Sequence, residues 1–150
     1  MALLTHIIPL GFTRILLFLI ISVPCMEFYG QTLSKSEQSC IERILETDSR
    51  LGAIRNHECE TKTLSTTIQN YVIALEALDF KDCPNNFEQA FQDHIQTWKN
   101  MTSVTDRHPH LRGEMHELFD QIKQTNDSTA FNTYLSQIWR TWDVIEKTFK

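Results

Sequence analysis

The sequence predicts an all-α protein: an up-and-down bundle of four to five helices that follows an N-terminal signal segment. Three observations lead to this prediction. Apolar residues recur at spacings of three and four from Cys40 to the C-terminus, no stretch alternates with a period of two, and short polar connections separate the amphipathic segments. We found no internal repeat and no linker long enough to divide the chain.

The N-terminal thirty residues have the pattern of an export signal. Arg14 precedes an apolar run over residues 15–24, and a more polar stretch follows it. The run is shorter than the roughly 20 apolar residues that span a bilayer. Cleavage after Gly30 is expected to remove residues 1–30, which leaves residues 31–150 as one domain of about 120 residues. The mature protein is therefore expected to be exported, to a periplasmic or extracellular location.

Three alternatives to this cleavage remain open. The peptidase could cut after Cys25, or Cys25 could carry the lipid of a bacterial lipoprotein. The signal could also stay uncleaved as an anchor, because apolar residues precede Arg14 from Ile7 to Phe12 as well. Membrane association is expected only if Cys25 is lipidated or the signal is retained.

The first two helices are predicted over residues 34–55 and 61–78. Gly52 is a candidate early end of the first helix, since glycine is a poor helix former. The inward-facing residues of the two helices are predicted to be Cys40, Ile41, Ile44, Leu45, Leu51 and Ile54, then Leu64, Ile68, Tyr71, Val72, Leu75 and Leu78.

The third helix has the clearest predicted start, with Asp82 or Cys83 as its cap and Pro84 in its first turn. A fourth helix is predicted to begin near Pro109, and a fifth to be capped by Asp127 or Ser128. The apolar stripes of these helices comprise Phe87, Ala90, Phe91, His94, Ile95, Trp98 and Met101; Leu111, Met115, Leu118, Phe119 and Ile122; and Phe131, Tyr134, Leu135, Ile138, Trp142, Ile145 and Phe149.

Cysteine spacing predicts one disulfide. Cys59 and Cys83 flank a helix about 27 Å long at 1.5 Å per residue, whereas bridged Cα atoms lie within about 7 Å. Antiparallel packing of the first two helices would bring Cys40 beside Cys83, so we predict that these two pair. Cys59 is then a buried thiol, a dimer link or a sign that the scheme is wrong.

Histidines are the candidates for a metal or haem site, and His94 and His116 are the two that we single out. His94 falls on the inward stripe of the third helix, and Met101 or Met115 could be a second axial ligand of haem. The histidine spacings match no zinc motif. A histidine whose nitrogens are satisfied inside the core is the simpler interpretation of His94, and no cofactor is the leading expectation.

No catalytic constellation is recognisable, so the protein is predicted not to be an enzyme. The chain has four glycines, contains no Gly-x-Ser-x-Gly elbow and offers no phosphate-binding loop. Its net charge of −5 and lack of basic clusters argue against nucleic acid as a partner.

Two further features concern the surface. Trp139 lies at the flank of the last apolar stripe, where it could anchor a partner or pack against the fourth helix. Asn100 and Asn126 each begin an Asn-x-Ser/Thr acceptor pattern, which would be used for glycosylation only in a eukaryote.

Two segments carry a family resemblance. CPNNFEQAFQDHIQTW, over residues 83–98, and IWRTWDVIEK, over residues 138–147, resemble a group of small uncharacterised exported bacterial proteins in which Cys-Pro is followed by Phe, Ala, His and Trp. The resemblance implies a helical fold and a periplasmic or surface location, and it brings no activity.

These observations together favour a non-enzymatic exported helical bundle that binds a protein or the cell envelope. One alternative is a periplasmic metal- or haem-binding bundle that uses His94. Another is a secreted cytokine-like ligand, if the source is eukaryotic.

Overall fold

The structure, a computed structural model, describes residues 32–150 and confirms the all-α bundle. The predicted signal segment, its cleavage after Gly30 and the fate of Cys25 lie outside the described residues. Within residues 32–150 there are five helices and no strand. The helices are α1 (Lys35–Glu58), α2 (Leu64–Glu76), α3 (Asn85–Thr105), α4 (Met115–Lys123) and α5 (Ser128–Lys147).

Helix α1 begins with a capping box and runs past Gly52. The Ser34 hydroxyl accepts a hydrogen bond from the backbone N–H of Glu37 over 3.2 Å, and the Glu37 carboxylate accepts one from the backbone N–H of Ser34 over 2.8 Å. Gly52 does not end the helix, contrary to the early end considered above. A single glycine costs a helix only about 1 kcal/mol, which the flanking turns of this 24-residue helix overcome.

Helix α3 lies at the centre of the bundle. Its most extensive contact is with α5 and its second is with α2, while α1 packs mainly on α2 and α4 on α5. The core between these helices is built from aromatic and aliphatic side chains. Its largest fully buried members are Phe87, Phe91, Phe131, Ile44, Leu64, Ile68, Leu75, Met101, Leu118, Ile122, Ile145 and Val104.

The predicted disulfide is confirmed. Cys40 near the start of α1 and Cys83 just before α3 are bridged, with their Cα atoms 5.2 Å apart. Cys59 is fully buried at the end of α1. Of the three interpretations of Cys59, the structure supports a buried thiol, and burial raises the pKa of this thiol.

The predicted start of the fourth helix near Pro109 is wrong, because α4 begins at Met115. The preceding residues are held as a loop by backbone hydrogen bonds to the connection between α1 and α2. The Leu64 N–H donates to the Leu111 carbonyl over 2.7 Å, and the Gly113 N–H donates to the Cys59 carbonyl over 2.8 Å. Gly113 also has φ 148°, a conformation that favours glycine.

One predicted cap differs from the structure, and another is confirmed in position. Pro84, which the sequence predicts in the first turn, occupies the N-cap position of α3 in place of Asp82 or Cys83, and no side chain caps this helix. Asp127 occupies the N-cap position of α5 as predicted, but its side chain makes no capping hydrogen bond. Its carboxylate is bonded instead to Arg107 over 2.8 Å and to His108 over 2.9 Å, which fixes the α3–α4 loop against the start of α5.

One predicted inward position, Ile54, lies towards solvent with 43% of its surface exposed. Leu51 is half-buried and packs against the core. Both lie in the C-terminal half of α1, where the buried residues of the helix end at Asp48. None of the helices in residues 32–150 is long and apolar enough to cross a membrane.

Candidate functional site

The candidate site is a half-enclosed cavity of about 310 Å³ between α1 and the helices α3, α4 and α5, here called the α1–α5 cavity. Helix α1 packs mainly on α2, and the cavity lies where α1 faces the other helices. Its wall combines aromatic and aliphatic side chains with a few polar groups. It is lined by Asp48, Ser49, Gly52, Arg55, Asn56, Tyr71, His94, Trp98, Met115, His116, Phe119, Leu135, Ile138, Trp139 and Trp142.

Arg55 is the cationic group of the cavity. Its guanidinium carbon lies 4.5 Å from the ring centroid of Tyr71 and 4.5 Å from that of Trp98. Both distances are within the range of a cation–π interaction. These contacts fix the planar guanidinium on two sides, and partial burial lowers the pKa of Arg55, although the group stays charged.

Asp48 and Tyr71 form a buried pair beside Arg55. Asp48 is 8% exposed, and its Oδ1 accepts a hydrogen bond from the Tyr71 hydroxyl over 2.7 Å. Desolvation raises the pKa of the Asp48 carboxyl, while Tyr71 and Arg55 act in the opposite direction. Desolvation also raises the pKa of Tyr71, so the hydroxyl remains a donor.

Both ring nitrogens of His94 are engaged inside the protein. The indole N–H of Trp98 donates to His94 Nε2 over 3.0 Å, and His94 Nδ1 lies 2.8 Å from the Thr141 hydroxyl. Because an indole only donates, Nε2 must be the unprotonated nitrogen and Nδ1 carries the proton. Thr141 then donates to the carbonyls of Gln137 and Ile138, each over 3.0 Å.

His94 is consequently a neutral histidine that bridges α3 and α5. Desolvation, followed by the nearby charge of Arg55, lowers its pKa to about 4. The arrangement matches the simpler interpretation of this residue, a satisfied core histidine, and leaves neither nitrogen with a free lone pair.

The candidate metal and haem residues are distributed around the cavity. His94 and His116 both line it, but the His116 side chain is 87% exposed and bonded to Glu114 over 2.9 Å. Met115 also lines the cavity, whereas Met101 is fully buried in the core. Within residues 32–150, no three His, Cys, Asp or Glu side chains are grouped so that they could hold a metal ion.

Trp139 lies at the rim of the α1–α5 cavity with 64% of its surface exposed. Gly52 lines the cavity from α1, and a Cβ added there would meet only the Arg55 Nη2 atom, at 3.9 Å. The absence of a side chain at Gly52 therefore keeps the space beside the guanidinium open.

The two acceptor asparagines differ in position. Asn126 is exposed in the connection between α4 and α5. Asn100 lies within α3, where its Oδ1 accepts a hydrogen bond from Gln96 over 2.9 Å.

Sequence patterns did not identify Asp48 and Arg55 as site residues. The helical spacing could have identified them. Asp48 follows Ile41 and Ile44 on the apolar face of α1, and Arg55 follows Asp48 by seven residues. Charged residues on a buried helix face are uncommon and often functional. Comparison of the chain with known protein families, curated proteins and solved structures returns no significant match.

Proposed function

We propose that this is an exported, non-enzymatic binding protein that holds a small ligand in the α1–α5 cavity. One observation carries the proposal. The bundle keeps open a half-enclosed cavity with a stacked guanidinium in its wall and a helix-interior glycine beside that guanidinium. Ligand pockets are typically concave, mostly apolar and provided with a few fixed polar groups. The volume lies at the small end of the usual range of about 300–1,000 Å³.

The state of His94 favours binding over catalysis. His94 is neutral and bonded through both nitrogens, so it has no unoccupied lone pair to act as a general base. The Asp48 carboxylate accepts one hydrogen bond from Tyr71 and keeps further acceptor sites. A histidine that is fully bonded inside the protein favours a fixed binding wall.

The neutral compound naphthylacetamide is a suitable probe of the cavity. We expect it to bind to the mature protein and to lose its affinity in Gly52→Leu, because the leucine side chain would occupy the space next to Arg55. Ala53→Leu is the matched control, since Ala53 is the exposed neighbour on α1 and does not line the cavity. Isothermal titration calorimetry gives both affinities. Equal binding by the two leucine variants would contradict the proposal.

Export is proposed from the signal segment together with the Cys40–Cys83 pair, which is compatible with an oxidising compartment. Intact mass and disulfide mapping of the protein from fractionated native cells test it. We expect a chain that begins at Gln31 and contains the bridge. A full-length chain with reduced cysteines in the cytosol would contradict export.

A further inference from the structure

The side chain of Arg55 carries a charge that no carboxylate pairs directly. No Asp or Glu oxygen of residues 32–150 lies within 4.0 Å of its guanidinium, and Asp48, the acidic residue of the same cavity, is beyond that distance. The contacts that hold the guanidinium are the aromatic faces of Tyr71 and Trp98. Such contacts orient the group and leave its edge available.

The hydrogen bonds of Arg55 confirm that its edge is underused. Nε and Nη2 donate to Oδ1 of the adjacent Asn56 over 3.2 and 3.1 Å, and Asn56 is exposed. A guanidinium has five N–H donors. In the described part of the chain the other donors meet no protein acceptor, so a ligand in the cavity could accept from them.

The rest of the cavity wall is suited to an apolar body. Rings and aliphatic side chains from α4 and α5 face the space beside Arg55, and Trp139 extends this surface to the rim. The members of this apolar wall are Met115, Phe119, Leu135, Ile138, Trp139 and Trp142. Aromatic side chains of this kind pack against aromatic and aliphatic ligands with little entropic cost.

Asp48 limits the charge that the cavity accepts. Its carboxylate lies in the same wall and opposes every negative charge on a ligand, while Arg55 is the single arginine or lysine of the lining. The preferred ligand should thus carry one anionic group, which Arg55 compensates.

We propose that the α1–α5 cavity binds a small organic monocarboxylate, whose carboxylate accepts hydrogen bonds from Arg55 and whose aromatic or aliphatic body packs on the apolar wall. A carboxylate matches the planar fork of a guanidinium and can accept two parallel hydrogen bonds. The proposal rests on the proposed function above and specifies its ligand class.

Three naphthalene compounds with matched rings test the ligand class on the mature protein: naphthylacetate, naphthylacetamide and naphthylmethylamine. We expect calorimetry to show that the acid binds roughly tenfold more tightly than the amide, because its hydrogen bonds to arginine are charge-assisted. The amine should bind most weakly. Acid and amide of equal affinity would overturn the ligand class and leave the cavity function standing, whereas no binding by any of the three would overturn both.

Variants at two cavity positions separate the role of each charge. Arg55→Gln should reduce the affinity for naphthylacetate to that for the amide, and Arg50→Gln, which changes an exposed arginine of α1 outside the cavity, should have no effect. Asp48→Asn should tighten naphthylacetate binding several-fold, because it removes the like charge. Should Arg55→Gln fail to fold, the Asp48→Asn result decides, and unchanged or weaker acid binding in that variant would contradict the proposal.

Discussion

The indole N–H of Trp98 donates to Nε2 of His94 one helical turn earlier on α3, over 3.0 Å. This single bond determines the tautomer of the histidine, and through Nδ1 it determines the direction of the bond to Thr141 on α5. Helices α3 and α5, which share the most extensive contact of the bundle, are thereby joined by a polar link whose donors and acceptors are all matched. His94 thus becomes a structural element of the cavity wall.

The neutral state of His94 predicts a loss of stability in acid. The pKa of His94 is about 4 in the folded protein, against an ordinary value of 6.5, so the unfolded chain takes up the proton first as the pH falls. The stability that neutral His94 contributes is fully present above pH 6.5 and decreases as the pH drops towards 4. Below pH 4 no further stability is lost through this group. We expect this contribution to amount to about 3 kcal/mol. Urea unfolding of wild type and His94→Gln across this range measures it, and parallel pH profiles would contradict the assignment.

The Tyr71–Asp48 bond predicts a destabilised Tyr71→Phe variant. Removal of the hydroxyl leaves a buried carboxylate without its hydrogen bond, which should lower the free energy of unfolding by about 1–3 kcal/mol at neutral pH. Tyr134→Phe is the control, because Tyr134 is only half-buried and has no hydrogen bond among the described residues. Chemical denaturation of both variants gives the comparison, and equal losses would show that the bond contributes nothing.

Asp48→Asn should be at least as stable as wild type at neutral pH. Desolvation raises the pKa of the carboxyl and outweighs the attraction of Arg55, so the charged form opposes folding. Because the folded pKa is raised above 3.8, the wild-type protein loses relative stability as the pH rises from that value. The advantage of Asp48→Asn should accordingly grow with pH and then level off. Urea unfolding of both proteins across this pH range tests the prediction. A lower free energy of unfolding for Asp48→Asn than for wild type at neutral pH would contradict it.

The disulfide predicts a large effect of reduction. Cys40 and Cys83 are separated by 43 residues, and closing a loop of this size stabilises the folded state by about 4 kcal/mol in the chain-entropy model. Replacing both cysteines with serine should lower the urea midpoint accordingly. Cys59→Ala keeps the bridge and serves as the comparison. A double-serine variant as stable as wild type would show that the bridge adds no stability.

We expect the Gly52→Ala variant to be more stable than the wild type. A helix-interior glycine costs up to about 1 kcal/mol relative to alanine, and the added methyl group would make only an ordinary contact with Arg55 Nη2 at 3.9 Å. Thermal unfolding should show a higher midpoint. If the gain comes with weaker binding of naphthylacetate, glycine is needed at this position for the ligand; a lower midpoint would instead reveal crowding that the structure does not show.

Much of the fold followed from short-range patterns. The spacing of apolar residues located all five helices, because a helix that buries one face needs an apolar residue every three or four positions. The disulfide followed from helix length and from antiparallel packing of the first two helices. An 18-residue helix separates Cys59 and Cys83 too far for a bridge, and antiparallel packing brings Cys40 beside Cys83. The start of α4 did not follow, because Leu111 and Gly113 form hydrogen bonds with residues some fifty positions earlier.

The sequence by itself determined that the chain forms five helices and, with antiparallel packing of the first two, that Cys40 and Cys83 would meet, because both depend on spacing along the chain. Only the tertiary structure decided what His94, Asp48 and Arg55 do. Their states depend on Trp98, Thr141 and Tyr71, which come from three different helices, and on the cavity where α1 faces the other helices. Burial and partners across helices set those properties, and no local pattern encodes them.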